Sequence, residues 1–151
     1  MSAAHVHLLL NHIPILGTIG GLLLLGYGMI RKSEEVKKAS LFAFTITALV
    51  TIPVYLTGDG TAQIVGNLPG VSTAIIAQHD TAATFTIVAI EILGIVSLLS
   101  LWLSRRSPEI KRKLVFAVLV LAIIASGLGA WTGNLGGQIR HTEVRSGFAK
   151  Q

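Results

Sequence analysis

HVHLLLNHIPILGTIGGLLLLGYGMI, residues 5–30, contains no Asp, Glu, Lys or Arg and stops at the charged turn RKSEEVKK, residues 31–38. An uncharged apolar run of about 18 residues or more is long enough to cross the hydrocarbon core of a bilayer as one helix. The stretch therefore predicts a first membrane span over residues 8–30. Gly17, Gly20, Gly21, Gly26 and Gly28 weaken that helix by propensity. In lipid, small residues instead let a second backbone or a flat ligand approach closely, and helix packing is the commoner of these uses. Pro14 removes one helical hydrogen bond two residues after His12 and is expected to turn that histidine inward.

The rest of the chain repeats the pattern. With 52% apolar and 13% charged residues in 151 and a mean hydropathy of +0.72, the surface is far too apolar for an ordinary water-soluble domain. Three further runs, 39–57, 81–103 and 114–132, predict three more spans. The expected fold is a single all-α integral membrane four-helix bundle covering residues 1–151. The one long connection, 58–80, holds no Lys or Arg. Its glycines and Pro69 mark a loop, and Ser72 is expected to cap a short interfacial helix running through Ala74 and Ala77 to His79. The chain start lacks a basic region and its apolar run ends at charges, so a secretory signal peptide is not expected.

Nine of the twelve cations lie in two connections, Arg31, Lys32, Lys37 and Lys38 in one and Arg105, Arg106, Lys111, Arg112 and Lys113 in the other. The positive-inside rule makes that face cytoplasmic and puts both termini outside. The formal charge of +5 thus reflects topology and gives no argument for a nucleic-acid partner. The partner implied throughout is the lipid bilayer, here a prokaryotic inner membrane with its periplasmic side outward.

This orientation gathers all five histidines, His5, His7, His12, His79 and His141, at the outer face. Neutral imidazole is a common ligand of transition metals and of haem iron. Without cysteine, disulfides, thiolate metal sites and covalent haem attachment are excluded. A haem needs an axial imidazole on one or both sides, which facing helices of a bundle supply. A copper, zinc or iron ion would instead draw three or four groups together, with Asp59, Asp80 or Glu143 as helpers. Counting from the inner boundaries at about 1.5 Å per residue, His7 and His79 match in depth, and His12 lies about 8 Å deeper, near Phe85 and Trp131. His7 and His12 are about 140° apart around a helix, so one partner cannot easily meet both. His5 reads as an interfacial anchor.

Arg140 and Arg145 flank His141 and suit either haem propionates or anionic lipid headgroups. Glu91, mid-span, is either a functional group, carrying protons or contacting quinone, or a carboxylic acid bonded to Thr45, Thr47 or a carbonyl. GAWTG, residues 129–133, has the spacing of a close helix contact, within the bundle or between copies.

Three segments also resemble a known family. HLLLNHIPI (7–15) looks like the "HPxxVHFPI" opening of the small four-helix prokaryotic membrane proteins grouped as domain of unknown function 2231. HDTAA at His79 is similar to the histidine that opens that family's third span, and GNLGGQIRH (133–141) resembles its closing "GxxGGxLVxxH" segment. Leu8 stands where the family has proline, and Arg140 precedes His141. The resemblance implies four spans and marks His7, His12, His79 and His141. It implies no activity.

The functional expectation is a b-type haem protein that moves electrons near the outer face, between a quinone pool and an outer-face redox protein. His79 is expected as one axial ligand and His12 or His7 as the other, with His141 serving a second haem or covering the site and Arg140 and Arg145 beside it. The alternatives are histidine-based copper, zinc or iron binding through His7, His12, His79 and His141, or a structural role as a homo-oligomer or subunit of a larger membrane complex.

Overall fold

The computed structural model describes residues 2–103 and 107–145. The helices are α1 (Ala3–Leu10), α2 (His12–Ile30), α3 (Glu34–Leu56), α4 (Gly58–Gly66), α5 (Thr73–Leu103) and α6 (Pro108–Arg140), followed by a 3-10 turn at Thr142–Val144. Four stretches, Ala4–Ile30, Glu34–Leu56, Thr73–Leu103 and Glu109–Arg140, are long and apolar enough to cross a membrane. The protein reads as a membrane helix bundle, with α2 and α5 each packed on both α3 and α6.

Buried Leu25, Leu41, Phe44, Ile90, Leu93, Val118, Ala122 and Ala125 form the core, while Leu23, Ile30, Ile95, Phe116 and Ile123 face outward. An apolar outer wall around a modest core suits lipid as solvent. Glycine sets the spacing where helices touch. A Cβ at position 21 would come within 2.5 Å of the Phe44 ring, and those at 129 and 133 would meet Ile15. The GAWTG spacing thus serves a contact with α2 inside the bundle. At the basic end, Ser33 caps α3 by accepting from the Val36 N–H at 3.4 Å. Glu34 pairs with Lys37 and with Lys111, tying the two basic connections together. Residues Ser104, Arg105 and Arg106, part of the expected basic connection, lie outside the described residues.

Three boundaries differ from expectation. The first span is two helices broken at Asn11, because Pro14 has no N–H to offer the Leu10 carbonyl. The separate short helix in the long connection is α4, placed over the expected loop, and residues 73–80 are simply the first turns of α5. Ser72 does cap, accepting from the Ile75 N–H at 3.4 Å, but nothing between Thr73 and Thr81 interrupts the helix. Helix α4 forms despite its glycines because it packs against α1 and Thr61 bonds back to the Thr57 carbonyl at 2.9 Å. Finally, α6 continues through Gly133, Gly136 and Gly137 to Arg140.

At 31 and 33 residues, α5 and α6 are about 46 and 50 Å long, well beyond a ~30 Å hydrocarbon core. At the end that carries the histidines α4 packs beside α5, and α1 packs against α4 and α3.

Candidate cofactor-binding cavity

At this histidine end the helices enclose a cavity of about 480 Å³. His7 and Asn11 contribute from the first span, Val54 and Tyr55 from α3, Gly58 and Thr61 from α4, His79 and Ile87 from α5, and Thr132, Gly136 and Arg140 from α6. The elements missing from the sequence reading, α1 and α4, therefore build one side of the site.

His7 and His79 are held alike. Helix α3 ends at Leu56, so its last carbonyls lack helical partners, and the His7 Nδ1 takes the Val54 carbonyl at 2.9 Å. The His79 Nδ1 meets the Thr132 carbonyl on α6 at 3.0 Å. A carbonyl only accepts, so each Nδ1 carries the proton and donates. In the neutral imidazole, the form that binds a metal, the lone pair then sits on Nε2. No described residue bonds either Nε2. The two rings are also close enough to interact electrostatically across the cavity.

Gly136 makes this possible on α6. A Cβ there would lie 3.2 Å from the His79 Cε1 and 3.5 Å from its Nδ1, so even alanine would press the imidazole back by a few tenths of an ångström and stretch its bond to the backbone. Below it, the Thr132 hydroxyl is fixed to that of Thr86 at 2.8 Å, both buried. Thr51 donates to the Thr47 carbonyl at 2.7 Å and Thr18 to the Pro14 carbonyl at 2.8 Å. These threonines satisfy one another or the backbone. The Asn11 Oδ1, in contrast, is buried on the cavity side of the helix break with no hydrogen-bond partner.

His12 lines the same cavity but is exposed. His141 stands exposed at the mouth, its Nδ1 donating to the Glu143 carboxylate at 2.8 Å. Glu143 is held below the usual carboxylate range by its own backbone N–H and then by the His141 ring. Arg140 lies exposed on the rim. Arg145 falls outside the cavity wall: its guanidinium donates to the carbonyls of Gln138 at 2.8 Å, Ile139 at 3.0 Å and Gly70 at 3.1 Å. It closes the end of α6 and ties it to the 67–72 connection. His5 is exposed and, like Asp59, Asp80 and Glu143, is not part of the wall. Among the described residues no three His, Cys, Asp or Glu side chains converge into a group that could hold a metal ion. The arrangement is two histidines on one cavity, each bonded to a backbone carbonyl.

Sequence reasoning missed Asn11, Thr132 and the Val54 carbonyl. Gly136 carried a readable signal, since a glycine in a helix facing a histidine makes room for the ring. The carbonyls carried none. No family model matches the chain, and no curated protein or solved structure matches it at a significant level.

Proposed function

We propose that the protein is a b-type haem-binding membrane protein that transfers electrons, with His7 and His79 as the axial pair. The observation that carries this reading is the shared anchoring: two imidazoles from different helices line one cavity, each bonded through Nδ1–H to a backbone carbonyl, so that a neutral ring offers Nε2. Such anchoring orients a ligand ring and raises its basicity. A cavity of about 480 Å³ falls within the ordinary range for a bound cofactor. Its α6 wall is smoothed by Gly133, Gly136 and Gly137, which fits a flat macrocycle. Arg140 and the His141 side chain at the rim suit its carboxylates.

Haem supplies one-electron chemistry when bound. His7 and His79 would together hold the iron, an arrangement that favours electron transfer over substrate chemistry. Leu8, Val65, Ile76 and Ile87 give the cavity an apolar lining, and the Nδ1 bonds orient the rings. With the positive-inside rule, the site lies near the periplasmic face of a prokaryotic inner membrane, facing an outer redox partner.

Absorption spectroscopy of protein expressed with haem supplied is the test. A Soret band with sharp reduced α and β bands is expected. His79→Ala and His7→Ala should each abolish or shift it, whereas His12→Ala should shift it less and His5→Ala leave it unchanged. A colourless preparation would overturn the reading, and elemental analysis would then show whether copper, zinc or iron takes the same histidines.

A further inference from the structure

Glu91 lies 18 residues from the start of α5 and 12 from its end, about 27 and 18 Å along the axis. The other acidic residues, Glu34, Glu35, Asp59, Asp80, Glu109 and Glu143, sit at helix ends or in connections. Its neighbours on α5, Val88, Ile92 and Ile95, are all exposed on the bundle's apolar wall. The carboxyl is only partly covered, yet its Oε1 is buried without a hydrogen-bond partner. The α3 threonines that could have bonded it are occupied on their own helix: Thr45 donates to the Leu41 carbonyl at 2.9 Å, Thr47 to the Ala43 carbonyl at 2.9 Å and Thr51 to the Thr47 carbonyl at 2.7 Å.

We propose that Glu91 anchors a lateral binding site for a lipid-soluble quinone, entered from the hydrocarbon along the seam of α3 and α5. A polar group orphaned in lipid is costly and marks a functional position by default. As a neutral acid the carboxyl has a proton to donate, so its ligand carries a hydrogen-bond acceptor such as a quinone carbonyl. The ligand is lipid-soluble because the approach is through the apolar wall. Two turns above on the same stripe of α5, at about 10 Å, Thr84 meets the Tyr55 hydroxyl of α3 at 3.3 Å and supplies further polar contact. Ile87, one turn above Glu91, lines the histidine cavity. The choice of a quinone among acceptor-bearing lipids rests on the electron-transfer reading; the binding itself does not need haem.

The test uses full-length protein prepared without haem in nanodiscs. Dicyclohexylcarbodiimide, which attacks protonated carboxyls from the lipid phase, should modify Glu91, as read by peptide mass. Decylubiquinone should slow that modification several-fold and decanol should not. Glu91→Leu should weaken decylubiquinone binding about tenfold, whereas Glu91→Gln, which keeps an N–H donor, should stay within about threefold of the wild type. An unreactive Glu91, modification that decylubiquinone does not slow, or full binding by Glu91→Leu would overturn the site. If Glu91→Leu fails to fold, the protection assay on the wild type and the Gln variant still decide. Protein that binds haem but shows no quinone protection sinks this inference alone; protection without haem binding sinks only the electron-transfer reading.

Discussion

Replacing Gly136 with alanine separates the stability of α6 from the geometry of His79. The added Cβ would sit 3.2 Å from the His79 Cε1, against an optimal carbon contact of about 3.5–4.0 Å, so the ring must retreat by roughly 0.3–0.5 Å. Its bond to the Thr132 carbonyl, now 3.0 Å, then moves toward the outer limit of a hydrogen bond. Losing an outer partner of a metal-bound histidine costs about 10–100-fold in affinity. Because the bond is stretched and not deleted, a loss of about tenfold in haem affinity is expected. The midpoint potential should rise, since a less basic imidazole favours ferric iron less. Alanine meanwhile gains about 0.5–1 kcal/mol of helix propensity over glycine, so the haem-free protein should not lose stability. Gly127→Ala is the control: nothing lies within 4 Å of its Cβ, so it should gain stability and bind haem normally. The assays are haem titration followed at the Soret band, a spectroelectrochemical titration, and thermal unfolding. The reasoning is refuted if Gly136→Ala matches the wild type in affinity and potential, or if Gly127→Ala loses as much.

Three further outcomes follow from packing and hydrogen bonding. Gly21→Ala places a methyl 2.5 Å from the buried Phe44 ring and should cost about 1–3 kcal/mol by overpacking. Gly20→Ala, with nothing within 4 Å, should be neutral or stabilising in the same unfolding titration. Thr86→Val removes the 2.8 Å bond to Thr132 and leaves a buried hydroxyl unpaired, a loss of about 1–3 kcal/mol that denaturant titration in detergent would read. Arg145→Ala removes three bonds to the carbonyls of Gln138, Ile139 and Gly70. Amide exchange should speed up about tenfold or more over 138–144 and 67–72, at about 1.5–3 kcal/mol per charge-assisted bond, with the core of the bundle unchanged.

Hydropathy and charge runs are local properties of a chain in lipid, and residues 8–30 and 31–38 alone were enough to predict the first span and its boundary. The same logic placed four spans and set all five histidines at one end. Depth counting put His7 level with His79, because rise per residue is fixed once a span is, and left His7 and His12 both open as its partner. The break at Asn11 was half visible, since Pro14 states which hydrogen bond is missing but not how far the chain then bends. Helix α4 was not legible: its glycines read as loop, and it exists through packing on α1, a contact between segments some fifty residues apart. Nor could any pattern name Val54 and Thr132, whose contributions are backbone carbonyls common to every residue. Tertiary structure alone decided that those carbonyls take the Nδ1 protons of His7 and His79 and leave two Nε2 lone pairs on one cavity. A tautomer is set by the partner across the gap, and the partner is known only when the helices have met.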